Sequence, residues 1–146
     1  MSGTATALRI GELAKLAGTT PRTIRYYEEI GILGGDEARV AGQHRTYTEA
    51  DVERLRKAMR LKSLLGVSLD ELKELLEAED ARPARRDELH APGTSRRRRR
   101  EILDQARREV ERQRELLARR RAEIAQLDDE LRDREALIEQ RLLELG

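Results

Sequence analysis

Apolar side chains recur along this chain at two spacings, and the change from one to the other marks its organisation. Up to about residue 79 they fall in short helical groups. Leu13, Ala14 and Leu16 form the inward face of a first helix, Gly11 to Ala17, after a short extended stretch at Leu8 to Ile10. Gly18-Thr19-Thr20 turns the chain into a second helix with its own punctuation: Thr20 as cap, Pro21 at the first helical position and Gly31 as left-handed stop. Ile24 and Ile30 are its strongly apolar aliphatic residues, enough to seat the helix but too few to bury it all round. Helix, tight glycine-containing turn and second helix predict a helix-turn-helix, whose second helix is the one that enters a major groove.

From Ile32 to Tyr47 the helical period stops. Gly34, Gly35 and Gly42 give bends, and Ala38 to Ala41 with Arg45 to Tyr47 predict two short strands, a small β wing. Thr48-Glu49-Ala50-Asp51 then starts a third helix in the manner of a capping box, with Val52, Leu55, Ala58 and Met59 at helical spacing as far as Leu65 and Gly66. Ser68-Leu69-Asp70-Glu71 repeats the signal, and Leu69, Leu72, Leu75 and Leu76 give a fourth helix its apolar face. Residues 8–79 are thus expected to form one winged helix-turn-helix domain. Residues 80–95, with Pro83, Pro92, Gly93 and no sustained apolar period, read as a linker.

Residues 96–146 change character. Up to Leu145 they hold neither proline nor glycine, and Leu103, Val110, Leu117, Ile124, Leu131, Ile138 and Leu145 stand at every seventh position. The positions three further on, Ala106, Gln113, Arg120, Leu127, Arg134 and Arg141, are mostly polar, so one side of the seam is strongly apolar. Fifty helical residues span about 75 Å, more than one small domain can cover. Burying each seam side chain is worth roughly 1.5 to 3 kcal/mol, which points to a coiled coil between two copies. The expected fold class is all-α with a small β wing, the winged domain being followed by a long coiled-coil dimerisation helix.

The chemistry of the chain concentrates in its first third. There is no Phe, Trp or Cys, and Tyr26, Tyr27 and Tyr47 are the aromatic residues. Two of them lie on the second helix beside Arg22, Thr23 and Arg25, and guanidinium forks and phenol hydroxyls bind phosphate oxygens and base edges. The net charge of +1 hides its distribution: residues 1–62 hold eleven Lys or Arg against eight acids, and residues 68–80 hold six acids and one lysine. Without cysteine no disulfide framework or soft-metal thiolate site is expected, and His44 and His90 are too far apart to suggest a metal cluster. The acidic pairs have no neighbouring nucleophile or phosphate loop, so neither an enzyme nor a cofactor is expected. No stretch approaches a membrane span or a leader, and the chain reads as cytoplasmic.

The order Thr23-Ile24-Arg25-Tyr26-Tyr27-Glu28, Gly31-Ile32-Leu33, His44-Arg45-Thr46-Tyr47 and Asp51-Val52-Glu53-Arg54-Leu55 resembles the MerR family of bacterial transcription regulators. The likeness covers about Arg9 to Leu76, and the long helix after it also fits. It implies a homodimer held by an antiparallel coiled coil, bound to a palindromic operator in a promoter. Such a dimer would bend and untwist the DNA for RNA polymerase. Arg22, Thr23, Arg25 and Tyr26 would meet bases or phosphates, Tyr27 would support or extend that contact, and Arg45 of the wing would reach a flanking phosphate. Arg39, Lys57 and Arg60 are further contact candidates. Metal and redox sensors of that family use cysteines and multidrug sensors append a ligand domain, whereas this sequence has no cysteine and only the long helix.

Two points stay open at this level. Arg96 to Arg100 stand where helix dipoles disfavour cations, so either the helix starts nearer Glu101 or the run meets an acidic helix or phosphate. A rival to the sequence-specific regulator is a coiled-coil nucleoid or scaffold protein with unspecific DNA contact.

Overall fold

Turn chemistry and apolar spacing resolve into five helices in the computed structural model, which describes residues 7–33 and 45–146. They are α1 (Ile10–Ala17), α2 (Pro21–Glu29), α3 (Glu49–Leu65), α4 (Leu69–His90) and α5 (Arg96–Leu145). Each start has a local cause. The Thr20 hydroxyl accepts the Thr23 N–H at 3.2 Å ahead of Pro21. Thr48 and Asp51 close the expected capping box, the Thr48 N–H donating to Asp51 Oδ2 at 2.8 Å and the Asp51 N–H to Thr48 Oγ1 at 3.4 Å. Ser68 and Glu71 do the same for α4 at 3.2 and 3.1 Å. Gly18 ends α1 in the left-handed region at φ 69.

The chain divides into two units. The first takes α1, α2, α3 as far as Ser63 and the part of α4 up to Ala84; the second takes Leu64–Gly66 and Arg85–Gly146. Leu13, Ile24, Ile32, Leu33, Val52, Leu55, Leu72 and Leu76 supply the largest fully buried side chains of the first unit. Removing each from water is worth roughly 1.5 to 3 kcal/mol, and they hold the short α1 and α2, which are too brief to be stable alone. Leu16, expected to face inward, is 46 % exposed: the stripe toward the core runs through Leu13 and Ala14, and Leu16 falls on its outer edge.

The expected wing strand at Ala38 to Ala41, its glycine bends and Arg39 lie outside the described residues. Of the second expected strand, Tyr47 pairs with Leu8 in a single antiparallel bridge, each N–H reaching the other's carbonyl at 2.8 Å.

In the second half one expectation is corrected and one open alternative is decided. The segment Asp80 to His90, read as part of a linker, is helical and continues α4 through Pro83; the non-helical stretch is Ala91 to Ser95. Side-chain ion pairs support this helix where an apolar stripe is missing, with Arg54 bonded to Asp80, Arg85 to Glu109 at 2.8 Å and Arg98 to Glu88 at 2.6 and 3.1 Å. Nor does α5 wait for Glu101: it begins at Arg96, because the Ser95 hydroxyl accepts the Arg98 N–H at 3.1 Å and caps it. The arginine run thus meets carboxylates and a carbonyl, with Arg97 on Glu101 at 3.3 Å and Arg99 on the Ala91 carbonyl at 3.2 Å. Within α5, Ile102 and Leu116 are buried, whereas every residue from 121 onward is exposed. Among the described residues no helix is long and apolar enough to cross a membrane.

Candidate nucleic-acid interface

The nine residues of α2 sort onto two faces by helical geometry. Ile24, Tyr27 and Glu28, at spacings of three and four, are 0, 5 and 8 % exposed and face the core. Arg22, Arg25, Tyr26 and Glu29, at i, i+3, i+4 and i+7, form the solvent face. Tyr26 is 47 % exposed, a high value for a large ring on a helix seated in a domain. Arg22 and Arg25 have no ion-pair partner among the described residues, so both guanidinium forks are available. Thr23 is half-buried at the edge of this face, its hydroxyl 3.1 Å from that of Thr20. Glu29, read in the sequence only as one of an acidic pair, was not among the contact candidates; a carboxylate among arginines can accept from a cytosine amino group, and it repels phosphate.

Of the two roles expected for Tyr27, supporting or extending the contact, its position fits the first. Its ring is a core element, and burial pushes its phenol above the ordinary value, so it stays protonated. It supports the exposed face from behind and does not extend it. The neighbouring Glu28 is a buried carboxylate bonded to the Tyr47 hydroxyl, and Arg45 reaches the same Oε1 at 3.2 Å. The Arg45 guanidinium also lies 5.1 Å from the centroid of the Tyr47 ring, with 15 % of its side chain exposed. Arg45, expected at a flanking phosphate, is therefore engaged in the fold: it ties the chain just before α3 to the inner face of α2. The spacing of Glu28, Arg45 and Tyr47 in sequence held no sign of this cluster, since it arises only when α2 and that segment meet.

The α3 candidates also separate. Lys57 Nζ lies 2.5 Å from Glu79 Oε2, and that hydrogen bond, with the Lys57 and Arg82 charges, holds the Glu79 carboxyl below its usual range against the opposing effect of burial. Lys57 is thus committed to α4. Arg60 is exposed and, among the described residues, unpaired. Two arginines missed by sequence reasoning position the helix-turn-helix: Arg56 donates through Nε and Nη2 to the Leu16 carbonyl at the end of α1, and Arg54 Nε donates to the Ile32 carbonyl at 2.7 Å. A cleft of about 560 Å³ between α3 and α4 is lined by Arg56, Lys57, Arg60, Leu76, Glu79 and Asp80, its opposite charges largely paired with each other. Among the described residues no group of three His, Cys, Asp or Glu is arranged to hold a metal ion.

A short helix buried along one face and carrying exposed arginines and a tyrosine on the other, after a tight turn, defines a helix-turn-helix domain. The family model of the MerR HTH family regulatory protein matches residues 8–79. The HTH-type transcriptional regulator ZntR of Escherichia coli (strain K12) is 52 % identical over 68 residues, 47 % of this chain and 47 % of that protein. YfmP of Bacillus subtilis (strain 168), also an HTH-type transcriptional regulator, is 44 % identical over 70 residues, 48 % of this chain and 49 % of its own length. The chain thus spans about half the length of these relatives. A crystal structure of HiNmlR, a MerR family regulator lacking the sensor domain and bound to promoter DNA, shares the fold at a TM-score of 0.51, with 21 % identity and 92 % of each chain covered. Through residues 8–79 the chain belongs to the MerR family of helix-turn-helix regulatory proteins.

Proposed function

We propose that this protein is a homodimeric, sequence-specific DNA-binding transcription regulator that recognises a palindromic promoter operator. The observation that carries the reading is the exposed α2 face, with Arg22, Arg25 and Tyr26 outward on a helix whose Ile24 and Tyr27 are buried, inside a domain matched to the MerR family. In this reading Arg22, Thr23, Arg25 and Tyr26 contact base edges and phosphates, and Arg60 contributes a backbone contact from α3. The α5 seam from Leu103 to Leu145 joins two copies as a coiled coil and sets the spacing between their recognition helices. Bending and untwisting of the promoter before RNA polymerase is the action that the family resemblance implies. The promoter DNA bound to HiNmlR supports the same kind of target.

The test is selection of binding sites from random duplexes with the purified protein, followed by anisotropy titration of the selected site against unrelated DNA. A palindromic site preferred by roughly 1,000-fold or more is expected, with affinity falling steeply as salt rises. Equal affinity for all duplexes would leave only unspecific binding and overturn the reading.

A further inference from the structure

The seam of α5 has two flanks, and the chain itself uses one of them. Along the flank one residue before each seam position, Ile102 and Leu116 are buried and Glu109 is paired with Arg85 of the α4 tail. The residues four after each seam position, on the opposite flank, are exposed. They read Arg107, Arg114, Arg121, then Asp128, Glu135 and Leu142, so this flank reverses its charge between residues 121 and 128. Arg114, Arg121 and Glu135 have no ion-pair partner among the described residues, and Asp128 has Arg132 of its own helix at 3.1 Å. The whole helix follows the same gradient: residues 96–121 hold twelve arginines and five acids, residues 122–145 three arginines and eight acids.

We propose that this sign-reversing flank is a self-recognition code, which fixes the register of pairing and selects a second copy of the same chain as partner. The inference rests on the homodimer reading above. With two copies running in opposite directions about a point between Ile124 and Ala125, Arg121 faces Asp128 of the second copy and Arg114 faces its Glu135. Two-fold symmetry makes four attractive pairs. A shift of one heptad toward the N-terminus keeps opposite charges facing, Arg114 with Asp128 and Arg107 with Glu135, but adds Arg121 against the Arg121 of its copy. A shift toward the C-terminus keeps only Arg121 with Glu135 and sets Asp128 against Asp128, so both are less favourable. A parallel pair brings residues of the first flank onto the second five positions later, setting Glu123 against Asp128 and Glu130 against Glu135, like charge on like. Flanking charges of this kind choose partner and orientation in coiled coils, and repulsion in the wrong pairing contributes as much as attraction in the right one.

The full chain and two double variants, R114E/R121E and D128R/E135R, are compared by sedimentation equilibrium at low salt. Helix content by circular dichroism confirms that each variant is folded. Each variant alone is expected to self-associate at least about tenfold more weakly than the parent, because four attractive contacts become repulsive. An equimolar mixture is expected to recover the parent's association as mixed dimers, detected by native mass spectrometry, since the altered flanks complement each other on both sides. Recovery also shows that neither variant lost association by unfolding. A D128R/E135R chain that associates as tightly as the parent or more tightly, the result expected of a parallel pair, overturns the inference, as does a mixture without recovery. A parent chain that is itself monomeric defeats the homodimer reading and this inference with it, whereas a dimeric parent with indiscriminate variants defeats this inference alone.

Discussion

At the scale of single residues, the two faces of α2 carry different obligations, and substitutions should separate them. Ile24 is fully buried, so Ile24→Ala removes apolar contact and leaves a cavity. A loss of about 2 to 5 kcal/mol in urea unfolding is expected, with operator binding lost only as the fold is lost. Arg25→Ala should leave stability within about 0.5 kcal/mol and weaken operator affinity by roughly 1 to 3 kcal/mol. Titrations at several salt concentrations assign the contact: a shallower salt slope means phosphate, and an unchanged slope with relaxed sequence preference means a base edge. Glu79 gives a prediction in pH. Its folded-state pKa lies below the ordinary value of 4.5, with the Lys57 hydrogen bond the largest cause. A depressed carboxylate pKa stabilises the fold above the unfolded value, and that stability is lost as pH falls from about 4.5 through the lower folded value. Lys57→Met should therefore reduce stability at neutral pH and flatten this acid limb. Urea midpoints of variant and parent should draw together below pH 4.5, and parallel curves would contradict the assignment.

Among the elements, α4 and α5 are governed by terminal and backbone chemistry more than by amphipathic stripes. Gly66 sits at φ 59, and a Cβ there would lie 3.1 Å from Nη1 of Arg120. The guanidinium is the movable end of a long side chain, so the backbone decides: Gly66→Ala should cost about 1 to 2 kcal/mol in thermal unfolding. The Ser95 side chain caps a 50-residue helix that opens with five arginines, an arrangement its dipole opposes. Ser95→Ala should cost about 1 kcal/mol and show faster amide exchange in the first turn. The helical course of Asp80 to His90 belongs at this scale too. Glu, Ala, Arg and Asp side chains offer no apolar period to read, yet most of them are tolerated in helices, and the pairs on Asp80, Arg85 and Glu88 exist only once the partners are in place.

For the whole molecule, the decisive property is apolar surface that one chain leaves in water. Leu103, Val110, Leu117, Ile124, Leu131, Ile138 and Leu145 are all exposed, from 43 % at Leu117 to 82 % at Leu145. A continuous stripe of this kind marks an association surface. Introducing charge at its centre, as in Ile124→Asp with Leu131→Asp, should convert the protein to monomers by light scattering and leave the stability of residues 8–79 nearly unchanged. Operator affinity should fall steeply, since two half-sites would then be bound without a covalent or coiled-coil link between them. Retention of both dimer and affinity would remove the stripe from consideration.

What the sequence determined by itself was whatever rests on short-range physics. Caps at Thr20, Thr48 and Ser68, the stop at Gly18, the helix-turn-helix order and the seven-residue seam could all be read from neighbours a few positions apart, because they depend on backbone geometry and helical spacing. The outward placement of Arg22, Arg25 and Tyr26 followed from the same spacing once Ile24 was taken as the anchor. Tertiary structure alone decided that Arg45 and Lys57 are held by Glu28 and Glu79, and which flank of α5 its own chain covers. Those outcomes depend on groups brought together from tens of residues apart, where burial and pairing outweigh any preference a side chain has on its own.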